Sequence, residues 1–80
     1  MLDFLLICDE REKFCGKSKA VFVNTSKGEI NILPGHEPLI TRISGDIMYI
    51  GEDSLKYELM VEEGFMYTNG KMCVIVASHF

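Results

Sequence analysis

The sequence predicts an all-β fold, a flattened sandwich or barrel of two packed, mainly antiparallel sheets with about ten short strands. Three observations carry that reading. Apolar runs are short and are spaced by Gly, Asn, Asp or Pro. No window of ten or more residues carries the 3.6-residue apolar period of an amphipathic helix. From Ser54 to Glu62 the chain alternates, with Leu55, Tyr57, Leu59 and Val61 on one face and Ser54, Lys56, Glu58 and Glu62 on the other. Eighty residues make one domain, 1–80, and a domain of that size buries only about 60% of its unfolded surface. No linker, charge block or internal repeat divides it.

The strands follow in order. Leu2 to Cys8 is the first, and Asp9-Glu10-Arg11-Glu12 is a polar turn. Phe14 anchors the return and Gly16 is expected to break it. Lys19 to Val23 is β-rich, bounded by Asn24-Thr25-Ser26, and Lys27-Gly28 is a turn signal. Ile30 and Ile32 flank Asn31 in a short period-two strand. Pro34-Gly35 opens a kinked loop that closes at Pro38. Leu39 to Ile43 and Ile47 to Ile50 read as two strands separated by Ser44-Gly45-Asp46, and Gly51-Glu52-Asp53 turns the second. After the alternating strand, Gly64 marks a bulge or corner. Phe65 to Thr68 meets Asn69-Gly70, a hairpin signal expected to form a type I′ turn with both residues at positive φ, and Met72 to Val76 pairs back.

Composition narrows the function. Eight basic against twelve acidic side chains give a net charge of −4, with 48% apolar and 25% charged residues. That is a folded globular composition, without the basic stripe that nucleic acid requires. The N-terminal Met1-Leu2-Asp3-Phe4-Leu5-Leu6-Ile7-Cys8 run lacks the basic start and small-residue cleavage site of a signal peptide, so a cytoplasmic protein is expected. Cys8, Cys15 and Cys73 are odd in number, lack C-x-x-C spacing, and read as reduced small hydrophobes. A Cys8–Cys15 pair facing across a hairpin is the redox alternative.

No catalytic constellation stands out. Cys73 with His36 or His79 is the one Cys–His combination, and Cys73 sits within a strand. Glu62-Glu63 and Glu52-Asp53 are adjacent acids, which a strand points to opposite faces rather than into one cleft. No metal-ligand spacing and no G-x-x-x-x-G-K-[ST] loop occur, so neither metal nor cofactor is expected. The distinctive segment is Gly28 to Thr41, GEINILPGHEPLIT, whose two prolines and Gly35 fix a rigid turn. A rigid, polar-tipped loop on a β scaffold suits recognition, and equally suits a corner that turns the chain between sheets.

That segment resembles the G-E-x-G-I-L-P-G-H-x-P-L-[LI]-T signature of the epsilon subunit of F-type ATP synthases, called delta in mitochondria. The surroundings agree: Phe14-Cys15-Gly16, Ala20 to Val23, Ile43 to Ile47, Gly64-Phe65 and Met72 to Ala77 fall in the family's order. Asn31 replaces a usual Gly, and Glu62-Glu63 replaces Ser-Gly. The family commonly continues into a C-terminal helical hairpin; this sequence stops at the end of the β domain, so no C-terminal helical domain is expected, and the hairpin's inhibitory and ATP-binding roles are not carried over.

The resemblance implies a ten-stranded β-sandwich in the central stalk. It implies a non-catalytic rotor subunit that binds the gamma subunit and the c-subunit ring and couples ion-driven rotation to ATP synthesis. Association with the membrane would run only through the complex, at the cytoplasmic face of the bacterial inner membrane. Glu29 matches a position facing the c-ring. His36, Thr41 and, outside the signature, Cys8 match positions facing gamma. Gly28, Pro34, Gly35 and Pro38 shape the turn. The competing readings are a free-standing β-sandwich interaction module unrelated to the synthase, and a small thiol enzyme built on Cys73.

Overall fold

A computed structural model describes residues 1–78. Their strands are β1 (Leu2–Cys8), β2 (Arg11–Thr25), β3 (Gly28–Ile32), β4 (Leu39–Gly51), β5 (Lys56–Thr68) and β6 (Met72–Ser78). β1 turns into β2 through Asp9 and Glu10, both at positive φ (53° and 64°). That two-residue turn matches the right-handed twist of the strands it joins.

The strand order is β1-β6-β5-β4-β2-β3, and β1 also pairs with β2, which closes the sheet on itself. The β1–β6 pair is parallel and the others are antiparallel. β2 changes partner along its length: Arg11 to Ser18 pair with β1, and Val21 to Thr25 pair with β3. Its middle, Ser18 to Phe22, pairs with β4. Long strands that serve successive neighbours fold the sheet over, so that its inward faces meet in one core.

The all-β expectation holds, but six strands stand where about ten were expected, in one hydrogen-bonded sheet rather than two. The difference arises at residues that read as breaks and are instead bulges or covered glycines. Gly16 continues β2, because the Phe14 ring lies over it; a β-carbon there would stand 3.1 Å from the ring. Gly45 continues β4 at φ 77°. Ser44 pairs with Glu63 and Gly45 with Val61, which leaves Glu62 as the extra residue of a β-bulge. The bulge resets the inward register from Leu59 and Val61 to Gly64, Met66 and Thr68. It also corrects the expected opposite orientation of Glu62 and Glu63, since both are exposed.

Leu55 was expected to face inward with Tyr57, but it lies before β5 and is exposed, and Tyr57 is more than a third exposed. Asn69-Gly70 makes its hairpin by another route than type I′. Only Gly70 takes positive φ (89°), and the Asn69 side-chain oxygen accepts from the amides of Lys71 and Met72, each at 3.0 Å. Asn69 caps a three-residue turn in the manner of an Asx turn.

The core gathers Leu2, Phe4 and Leu6 of β1, Val21 and Val23 of β2, Ile43 and Ile47 of β4, and Cys73 and Ile75 of β6. Phe4, Phe14 and Tyr49 form an aromatic trio with centroids 4.9 to 5.7 Å apart. Tyr57 stacks on Tyr49 at 5.2 Å. The buried Ser18 hydroxyl lies 2.9 Å from the Ala20 carbonyl and 2.8 Å from that of Ile50, so its one proton has two acceptors within reach at the β2 bulge.

Candidate functional site

The Gly28–Thr41 segment builds a fixed loop. Thr25 donates its hydroxyl to the Gly28 carbonyl (2.8 Å) and accepts the Lys27 amide (3.1 Å), which shapes the turn into β3. Gly28 opens β3 at φ 111°. Beyond β3, the His36 amide donates to the Leu33 carbonyl at 3.0 Å across Pro34-Gly35. Proline second and a glycine at φ 89° third are the pattern of a type II turn. The tip is anchored from outside, since the Gly35 amide donates to the Gly70 carbonyl at 2.8 Å.

His36 is half-buried, and its Nδ1 lies 2.6 Å from the Glu37 carbonyl. A carbonyl can only accept, so Nδ1 carries the proton of that bond. The ring is thus oriented by its own loop. Pro38 is exposed just before β4. Thr41 is half-buried in β4 opposite Met66, and its hydroxyl donates to the Arg42 carbonyl at 3.2 Å.

Glu29 is exposed on β3 opposite Asn24. It lines a groove of about 200 Å³ with Asp46, Glu58, Phe22 and Met48. Asn24 donates to the Asp46 carbonyl at 3.3 Å, and Glu58 has Lys56 at 3.8 Å. The acid that the sequence singled out is therefore one of three carboxylates around an apolar floor.

Cys8, the other position matched to the gamma side, is buried. Its side chain is 0% exposed and lies in the core, and burial pushes its thiol above the usual range. Alternation along β1 turns that side chain inward with Leu2, Phe4 and Leu6, so the gamma-facing position expected at Cys8 presents no exposed side chain in this chain by itself. Cys8 also does not face Cys15, because Cys8 pairs with Arg11 and Cys15 with Leu5. Cys15 is exposed, and all three cysteines are free.

A surface that sequence reasoning missed runs across β4, β5, β6 and β1. Ile40 lies opposite Tyr67, Tyr67 opposite Val74, and Val74 opposite Leu5. A parallel row joins Arg42, Phe65, Val76 and Ile7. Ile40 is 72% exposed, Phe65 57% and Val76 50%. Arg42 reaches Glu63 at 3.7 Å and stands 5.7 Å from the Phe65 ring centroid. The signal was present as strands apolar on both faces, Phe65-Met66-Tyr67 and Val74-Ile75-Val76, a pattern that belongs to strands covered on both sides. Contiguous exposed apolar surface of this kind marks an interaction face.

Catalytic chemistry finds little support. Burial pushes the Cys73 thiol up to about 12, which suppresses the thiolate a nucleophile needs. His79, its other suggested partner, lies outside the described residues. Among the described residues, no group of three or more His, Cys, Asp and Glu side chains is placed to hold a metal ion.

A closed β domain with a locked proline–glycine loop and an apolar outer face defines a docking module. The sequence assigns that module to one family. The family model for the ATP synthase delta/epsilon chain, β-sandwich domain, matches residues 1–80, and the chain belongs to this family. It is similar to the ATP synthase epsilon chain of Mycobacterium sp. (strain KMS), 38% identical over 80 residues, covering 95% of this chain and 64% of that protein. It is also similar to the ATP synthase epsilon chain of Corynebacterium diphtheriae, 33% identical over 76 residues, covering 92% of this chain and 62% of that protein. The chain thus spans a little under two thirds of these relatives.

Among solved structures, a chain of the Euglena gracilis mitochondrial ATP synthase (OSCP/F1/c-ring) superposes with TM-score 0.88 at 20% identity, over 95% of this chain and 49% of that one. A chain of the Tetrahymena thermophila mitochondrial ATP synthase central stalk and c-ring gives 0.78 at 9% identity, over 96% and 63%. At these identities the likeness is one of fold.

Proposed function

We propose that this chain is a non-catalytic central-stalk subunit of an F-type ATP synthase, which binds the gamma subunit and the c-subunit ring. It transmits ion-driven rotation toward ATP synthesis and sits peripherally at the cytoplasmic face of the bacterial inner membrane through the complex. The observation that carries the reading is the family match over residues 1–80, which includes the locked Pro34-Gly35-His36 loop. His36 and Thr41 are assigned to the gamma side. Glu29, beside Asp46 and Glu58, is assigned to the ring side, where three carboxylates favour polar or basic loops. The apolar rows of β4, β5, β6 and β1 supply the hydrophobic part of an interface. A closed sheet with satisfied turns resists deformation, as a torque-carrying adaptor must.

The test is co-purification of the chain with the gamma subunit of the same cell, followed by size exclusion. A stoichiometric complex is the expected result. Two folded partners that elute separately would overturn the rotor reading and favour an unrelated β-sandwich interaction module.

A further inference from the structure

The loop assigned above to the gamma side is held by a turn that belongs to no part of the signature. The Gly35 amide donates to the Gly70 carbonyl at 2.8 Å. Gly70 approaches so closely that a β-carbon on it would stand 2.7 Å from the His36 carbonyl oxygen and 3.3 Å from the Gly35 Cα. Both atoms are backbone, so nothing flexible can yield. Gly70 is also at φ 89°, where side chains are rarely tolerated.

The turn itself is braced on three sides. Asn69 accepts from the Lys71 and Met72 amides, the buried Thr68 hydroxyl donates to the Met72 carbonyl at 2.8 Å, and the Asp3 amide donates to the Lys71 carbonyl at 2.9 Å. A continuous path of backbone contacts therefore runs from β1 through Lys71 and Gly70 to Gly35 and His36.

We propose that the Asn69–Lys71 turn positions the His36 loop for its partner, with Gly70 as the positioning residue. The inference rests on the gamma-binding reading for its functional half. The orientation of the loop is a property of the chain alone. His36 presents its ring from a loop whose tip is tied to the barrel wall, so the loop enters a complex already in shape and avoids the ordering cost of a free one.

The experiment compares the full chain with Gly70→Ala and Gly70→Asn. Asn tolerates positive φ, so it relieves turn strain while still carrying a β-carbon. Hydrogen exchange at the Gly35 amide reads the lock, and affinity for the gamma subunit reads the positioning. Both variants are expected to speed Gly35 exchange by about tenfold or more and to weaken gamma binding by about tenfold. Gly70→Asn should be the less destabilised of the two, because it relieves the strain of positive φ but keeps the clash, and it carries the test if Gly70→Ala does not fold. Recovery of both readouts in Gly70→Asn would overturn the proposal, because only turn strain would then matter. Unchanged Gly35 protection in the variants, or lost protection with unchanged affinity, would overturn it as well. A wild-type chain that does not bind gamma would sink the rotor reading instead, and Gly35 exchange alone would then decide whether the turn sets the loop.

Discussion

Gly64 lies against Ala77 across the β5–β6 pair so closely that a β-carbon on it would stand 2.8 Å from the Ala77 Cβ and 2.5 Å from the Val76 carbonyl oxygen. The contact lies just after the Glu62 bulge, where β5 changes its inward register. Gly64→Ala is expected to destabilise the fold by about 1–3 kcal/mol through overpacking. Urea denaturation measures it, and an unchanged midpoint would show that the β5–β6 pair can spread.

Ser18 holds its one hydroxyl proton within reach of two carbonyls at the β2 bulge. Ser18→Ala leaves both oxygens buried without that donor and should cost about 1–3 kcal/mol. Ser18→Thr, which keeps the hydroxyl, should lose less. Equal losses in the two variants would point to packing rather than hydrogen bonding.

Asp53 accepts the Tyr57 hydroxyl at 2.6 Å and the Leu55 amide at 3.0 Å. The Tyr57 bond first, then that from Leu55, holds the Asp53 carboxyl below its ordinary 3.8, and the same bond raises Tyr57 above 10.0. A depressed carboxyl contributes stability that is present above its ordinary value and is lost as pH falls through the folded value. A raised phenol contributes stability that is present below its ordinary value and is lost as pH rises through the folded value. Tyr57→Phe should therefore flatten the pH dependence of the denaturation midpoint at both ends. Identical pH profiles for the two proteins would refute the coupling.

The three cysteines should separate by reactivity. Cys15 is exposed, whereas Cys8 and Cys73 are buried with raised thiols. A mild alkylating reagent at pH 7 is expected to label Cys15 in the folded protein and the other two only in denaturant. Mass spectrometry counts the adducts, and early labelling of Cys73 would revive a thiol chemistry.

Glu29→Lys places a cation in the groove beside Asp46 and Glu58. On an exposed strand position it should change stability by no more than about 0.5 kcal/mol. Retention of the gamma complex on c-ring-bearing membranes should fall. Unchanged retention would remove Glu29 from the ring contact.

Much of this was legible locally. The span Leu2–Cys8 coincides with β1, the Lys27-Gly28 turn is in place, and Pro34-Gly35 forms the expected tight turn. Turn chemistry and side-chain alternation act within a few residues, so sequence displays them directly. Strand continuity was less legible. Gly16 and Gly45 have the composition of breaks, and the bulge expected at Gly64 falls at Glu62, because where a bulge is absorbed depends on the partner strand rather than on the residue. The hairpin at Asn69-Gly70 was correctly placed but given the wrong turn, because Asn69 uses its side chain in place of a left-handed backbone.

The sequence by itself determined an all-β chain, a rigid Pro34-Gly35 loop and a family signature around it. Each of these is written in residues close along the chain. Tertiary structure alone decided that β1 also lies parallel to β6, which with its pairing to β2 closes the sheet, and that Asp46 and Glu58 flank Glu29. It also brought Gly70 to Gly35, 35 positions away along the chain. Such contacts depend on strand register, and register is fixed by the sum of the core packing rather than by any local run of residues.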